Sequence, residues 1–241
     1  MFIKIDERKD VVVPGNEEES VAFAANHFIK CAKSALELHG NFFVALSGGS
    51  TPKKIYQKLA SDYKKAIDWE KVFLFWSDER AVSETDPESN YKMAMDSGFS
   101  KLKINPLHIF RMKGEGDIVA HAEEYESIIK KTLQGRHFDL IMLGVGEDGH
   151  TASLFPHTKG LTVTNRLVIA NEVPQKKTWR MTFTYTLINS AHNIVFYALG
   201  ENKQSILKEV LFKEDLPASK VGTLLNKALW VLDKDAAAYL H

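Results

Sequence analysis

Cysteine is almost absent from this sequence. Cys31 stands alone, which excludes an internal disulfide and a cysteine-based zinc cluster and fits a reducing compartment. An excess of one charge is missing too: 31 Lys and Arg balance 31 Asp and Glu, so the formal net charge is zero, without the basic surplus of a nucleic-acid binder. No apolar run approaches the roughly 18 residues of a membrane span, and charges interrupt residues 1–20 before any signal-peptide core can form. Internal repeats, low-complexity tracts and Pro/Gly-rich linkers are lacking as well. These absences predict a soluble, cytoplasmic protein with neither a nucleic-acid nor a membrane partner. What remains is ordinary globular composition, 44% hydrophobic and 26% charged. The 241 residues are expected to form a single domain, 1–241, since α/β folds often reach roughly 250 residues undivided.

Residues 16–39 carry Val21, Ala24, Ala25, Phe28, Ile29, Ala32 and Leu36 at helical spacing, with Asn16 and Glu19 to start a helix and Gly40 to stop it. Short apolar runs then alternate with amphipathic stretches. The runs cover 42–46, 72–76, 108–112, 138–143, 167–170, 181–183, 194–199 and 228–232, after a short start at 2–5 and 11–13. Helices are predicted at 54–63, 89–96, 117–133 and 202–212. Buried strands separated by amphipathic helices imply a doubly wound α/β sandwich with a mostly parallel sheet. In that architecture ligands bind beyond the carboxyl ends of the strands.

Three segments lie at such ends. The first, Leu46-Ser47-Gly48-Gly49-Ser50-Thr51-Pro52, runs from a strand through two glycines into a helix. Exposed backbone N–H groups, two hydroxyls and a helix N-terminus suit a phosphate, although a plain capped turn is also compatible with these residues. GxxxxGK[ST] is absent, which disfavours a mononucleotide. The second, Leu143-Gly144-Val145-Gly146-Glu147-Asp148-Gly149-His150, reads literally as GxGxxG. Pro156 falls where a crossover helix would be in mid-course, and Glu147 and Asp148 would repel a pyrophosphate, so dinucleotide binding is disfavoured despite Glu172 at ribose-binding distance. A histidine beside carboxylates is general-base equipment instead, with the carboxylate able to fix its tautomer. The third, Trp76-Ser77-Asp78-Glu79-Arg80, is followed by Ser89-Asn90-Tyr91, and its Arg80 can stabilise an oxyanion. Arg180 and Lys203 are later cations suited to a dianionic phosphate. Neither HExxH nor a histidine pair at ligand spacing occurs among the nine histidines, so no metal is expected, and Ser47 lies outside a GxSxG nucleophile elbow.

Together and in this order, these segments, the second continuing through Thr151-Ala152-Ser153-Leu154-Phe155-Pro156, with Arg180-Met181-Thr182, Gly200-Glu201-Asn202-Lys203 and Leu216-Pro217-Ala218-Ser219, make the chain resemble the 6-phosphogluconolactonase family. That family is a branch of the glucosamine-6-phosphate isomerase/deaminase superfamily. The deaminase branch continues its related turn into a run that supplies a catalytic acid. Here Thr151-Ala152-Ser153-Leu154-Phe155-Pro156 carries none, and 175–179 lack the several prolines that lactonases often have before the arginine. The resemblance implies hydrolysis of a sugar-phosphate lactone, 6-phospho-D-glucono-1,5-lactone, without metal or cofactor; a monomer is expected. The resemblance assigns His150 as the base that activates water and Arg80 to the oxyanion or the lactone. Asp78 and Asp148 would hold Arg80 and His150, and Gly48, Gly49, Ser50, Thr51, Arg180 and Lys203 would anchor the phosphate. A deaminase or isomerase, and a non-catalytic sugar-phosphate sensor, are the alternatives.

Overall fold

Among residues 1–240, which the computed structural model describes, ten strands and six α-helices form; His241, the last position of the expected unit, lies outside the described residues. The first half of the chain gives β1 (Phe2–Lys4), β2 (Lys9–Val12), α1 (Glu17–His39), β3 (Phe42–Leu46), α2 (Ser50–Asp62), β4 (Val72–Trp76), β5 (Asp78–Arg80) and α3 (Asn90–Asp96). The second half gives α4 (Ile118–Leu133), β6 (Leu140–Leu143), β7 (Val168–Val173), β8 (Thr178–Phe183), α5 (Tyr185–Ile188), β9 (Ile194–Ala198), α6 (Gln204–Phe212) and β10 (Ala228–Leu232).

Seven strands make the central sheet, in the order β1-β2-β10-β9-β6-β3-β4. Every pairing in it except β1 with β2 is parallel. Because successive side chains point to opposite faces, the unbroken burial of β3, β6 and β9 means that both faces are covered. Helix α1 forms where its period and caps coincide. Asn16 Oδ1 accepts from the Glu19 N–H at 2.9 Å, Glu19 accepts from the Asn16 N–H at 2.8 Å, and Gly40 ends the helix at φ +81°.

The order of the strands decides where a ligand can sit. From β3 the chain moves to β4 on one flank, whereas β6 comes back to pair with β3 on the other. Connections that diverge from neighbouring strands leave a crevice beyond their carboxyl ends. The segments after β3, β4 and β6 are the three motif-bearing ones, so the topology gathers them at one place.

The structure departs from the sequence-based expectations in three places. The runs at 167–170 and 181–183 do not extend the parallel sheet; they belong to the longer β7 and β8, which form a separate antiparallel sheet in the order β5-β8-β7. Only residues 174–177 join β7 to β8, too short for a parallel crossover. The run at 108–112 is not a strand, making only a single bridge from Ile109 to Leu74. Helix α2 begins at Ser50 rather than at 54, because Pro52 is compatible with its first turn. Ser77 joins the two sheets. Its N–H continues the β3–β4 ladder to Leu46 O at 2.8 Å, while its own carbonyl accepts from Phe183 N–H at 2.9 Å.

Candidate active site

A cleft of about 180 Å³ opens at the crevice, with Gly48, Gly49, Asp78, Arg80, Asn90 and His150 among its walls. The first wall is main chain. After Leu46, the backbone N–H and carbonyl of Ser47 are clasped by the buried Tyr56 hydroxyl, which accepts at 3.0 Å and donates at 2.7 Å. Gly49 then turns at φ +109° and caps α2 without any side-chain hydrogen bond, and no acidic residue occupies the first turn. The helix dipole and its unpaired N–H groups are therefore unopposed by a local carboxylate. At Gly48 a Cβ would come within 1.9 Å of Asn90 Oδ1, so only glycine lets the two segments close on each other.

The opposite wall is built from side chains. No helix follows the glycine turn after β6; residues 144–150 close on themselves through hydrogen bonds from Gly146 N–H to His150 O and from Gly149 N–H to Gly146 O. That missing helix removes the dinucleotide reading. Asp148 Oδ1 lies 2.5 Å from His150 Nδ1, which leaves Nε2 as the free ring nitrogen of a residue that lines the cleft. Burial works against the Asp148 carboxylate, yet the hydrogen bond and charge of His150 hold its pKa below the ordinary range. Gly146 packs against the same ring, with a Cβ there falling 2.0 Å from His150 Nδ1.

The small sheet supplies the rest. Residues paired across it, and those two apart along it, share a face, so Asp78, Arg80, Arg180 and Thr182 all stand on one side. Burial first, and then the neighbouring Arg80 guanidinium, pull the Arg180 pKa down. Neither arginine has a carboxylate partner within ion-pair distance among the described residues, an arrangement that an anion would relieve. Arg80 instead donates to the Glu88 carbonyl. The expected grip of Asp78 on Arg80 is absent. Its carboxylate accepts from Ser153 Oγ at 2.7 Å and from Asn90 Nδ2 at 3.3 Å, because its neighbours on the sheet face are hydroxyl and amide groups of the segments packed there. Asp78 therefore ties the loop that follows His150 to Asn90 and the glycine wall.

Of the other expected anchors, Ser50 and Thr51 begin α2 directly after Gly49, and none of Ser50, Thr51, Arg180 and Lys203 lines the cleft itself. Lys203 reaches its edge, donating from Nζ to the Val145 carbonyl at 2.9 Å. Two of its three donors stay free. Glu79 faces away from the cleft. Burial raises its pKa although the backbone N–H groups of Tyr91, Asn90 and Arg80 oppose the shift, and its role is to hold the start of α3. Asn90, Ser153 and Thr182 join the site without having been expected in it. Each had a signal only by its place in a motif: Asn90 in the Ser-Asn-Tyr segment after Arg80, Ser153 in the run after His150, and Thr182 two residues after Arg180. Among the described residues no three His, Cys, Asp or Glu side chains converge as metal ligands.

The family model described as glucosamine-6-phosphate isomerases/6-phosphogluconolactonase matches residues 15–230. The 6-phosphogluconolactonase of Chlamydia trachomatis is 40% identical over 241 residues, covering 98% of this chain and 92% of the relative. That of Synechocystis sp. is 39% identical, covering 86% of this chain and 88% of the relative. The crystal structure of the Thermotoga maritima 6-phosphogluconolactonase superposes with a TM-score of 0.83 at 29% identity, over 94% of this chain and 100% of that one.

Proposed function

The chain belongs to the glucosamine-6-phosphate isomerase/6-phosphogluconolactonase family, and from that premise we propose that it hydrolyses 6-phospho-D-glucono-1,5-lactone to 6-phosphogluconate in the oxidative pentose phosphate pathway. The observation that carries this reading is the pairing of Asp148 with His150 Nδ1 in the wall of a cleft whose facing wall is a glycine-rich helix start.

The geometry supports the following chemistry. With Nδ1 held by Asp148, His150 Nε2 takes a proton from water as the water oxygen bonds to the lactone carbonyl carbon. Negative charge gathers on the carbonyl oxygen, where the Arg80 guanidinium stabilises it. When the ring C–O bond breaks, the imidazolium returns its proton to the departing ring oxygen. The new carboxylic acid then ionises, so each turnover releases one proton to solution. The start of α2, with Arg180 and Lys203, anchors the phosphate and orients a small substrate against the base. Asp78 acts at one remove, through Ser153 and Asn90.

The enzyme acts as a monomer in the cytoplasm, with no nucleic-acid partner and without cofactor. The zero net charge supports the absence of a nucleic-acid partner. No helix among the described residues is long and apolar enough to cross a membrane. Acid release from freshly generated 6-phosphogluconolactone at neutral pH, against unphosphorylated gluconolactone and corrected for spontaneous hydrolysis, tests the proposal. Rapid turnover of the phosphorylated lactone alone is expected. Ammonia release from glucosamine 6-phosphate, with no lactone turnover above background, would overturn it.

A further inference from the structure

A single hydrogen bond at Nδ1 fixes one edge of the His150 ring but not its plane, since the torsion that swings an imidazole is broad. The plane is fixed by something else. Phe155 stacks on the imidazole with ring centroids 4.1 Å apart and planes inclined by 20°. It is only 3% exposed although it lies in a connection outside every strand and helix.

The segment that carries Phe155 is bent back onto His150 and pinned there. Ala152 adopts φ +46° and His157 φ +63°, left-handed conformations that residues other than glycine hold only where their surroundings over-determine them. Each bend is closed by a hydrogen bond: Leu154 N–H donates to Thr151 O at 2.9 Å across Ala152, and Thr158 Oγ donates to Phe155 O at 2.8 Å across His157. The small sheet grips both sides of the segment. Ser153 N–H donates to Thr182 Oγ at 3.0 Å, and Asn171 Nδ2 donates to Ser153 O at 2.9 Å and to Thr158 Oγ at 3.0 Å. From the direction of the 174–177 turn, Lys176 Nζ lies 5.9 Å from the Phe155 ring centre.

We propose, on the lactonase reading above, that Phe155 is a positioning residue for that reaction: its aromatic face sets the plane of the His150 imidazole and so aims Nε2 at the attacking water. It touches neither substrate nor the reacting atoms. Its apolar face also closes one side of the ring to water, while Asp148 occupies the edge, so that Nε2 alone remains open for proton transfer.

Phe155→Leu, which keeps an apolar side chain and removes the flat face, and Phe155→Tyr, which keeps the face, test this together. In the unaltered protein the Phe155 ring current shifts the His150 ring-proton resonance upfield, and that resonance is identified by its loss in His150→Ala. In Phe155→Leu the resonance moves downfield and kcat falls about tenfold, as a misaimed base predicts, while KM stays within about twofold. Phe155→Tyr keeps kcat within about twofold of the parent. An unchanged kcat in Phe155→Leu, an equal loss in both variants, or an unmoved His150 resonance would overturn the proposal. Should a variant fail to fold, the unaltered protein still decides, because a His150 ring proton without an upfield shift contradicts the stack. A parent that shows the shift but no lactone turnover would refute the lactonase reading and leave the stack standing.

Discussion

On one side of the cleft the chain runs from the buried strand β3 straight into α2, and the groups it offers are main-chain amides. On the other side a single imidazole hangs from a turn that no helix follows, and other side chains hold it: Asp148 at its edge, Phe155 on its face, and behind them the Ser153, Asn171 and Thr182 contacts of the small sheet. The difference matches what each wall has to do. An anion is bound by dipoles that any sequence of small residues can supply once the helix starts in the right place. Proton transfer needs one nitrogen aimed closely, and aiming takes several independent contacts. The glycine wall is therefore expected to control binding, and the imidazole wall the rate.

The strongest way to break the second wall is to remove its proposed base. His150→Ala is expected to lower kcat by about 10²–10⁴-fold with the fold intact, checked by steady-state kinetics beside a thermal melt; a change below about threefold would remove His150 from that role. Next comes a matched pair of glycine substitutions. Gly146→Ala drives a methyl into the His150 ring and should cost kcat up to about 10²-fold, whereas Gly48→Ala pushes on Asn90 in the other wall and should act chiefly through KM. Equal effects on kcat from both would erase the distinction between the walls. Lys203→Ala removes an ammonium at the rim of the cleft and should raise KM by about 10–100-fold, the worth of hydrogen bonds to a charged group, with a smaller loss in kcat because Nζ also ties down Val145. An unchanged KM would place the phosphate elsewhere.

The smallest expected effect concerns the support of the second wall. Glu126 on α4 accepts from Arg166 Nε and from the Leu167 and Val168 N–H groups at the start of β7. Burial opposes its charge, but these bonds and Lys130 bring its pKa down to about 2. A depressed carboxylate stabilises the fold above its unfolded pKa, near 4.5, and that contribution is lost as the pH falls from there towards about 2. Glu126→Gln is thus expected to cost about 1–3 kcal/mol at neutral pH and to flatten the loss of stability in acid. Melts of both proteins across that pH range check it; curves that stay parallel would contradict it.

Much of the first wall was legible in the sequence. Residues 42–52 read as strand, glycine turn and helix because burial, turn chemistry and capping all act within a few residues of one another. The contact of His150 with Asp148 was legible for the same reason, the two being two positions apart in a single turn. The small sheet was legible only in part. The runs at 167–170 and 181–183 marked portions of β7 and β8, but Asp78–Arg80 is wholly charged and Asn171 and Glu172 interrupt the apolar run of β7, which hid β5 and the full length of β7; Asn171 is buried because its amide is satisfied by Ser153, Thr158 and Gly160. The partner of Asp78 was misjudged too. The resemblance assigned it to Arg80, whereas the fold brings Ser153 and Asn90 from distant segments. Phe155 stood within the Thr151–Pro156 run, but its place against His150 was not legible, since a lone aromatic in a connecting segment reads as ordinary core.

The division of labour between the walls is tested most directly by measuring the binding of 6-phosphogluconate to His150→Ala by calorimetry, beside the kcat of the same variant. The account predicts a dissociation constant within about twofold of the parent's while kcat is lost. A dissociation constant that rises in step with the loss of kcat would contradict it, because His150 would then be holding the ligand rather than moving its proton.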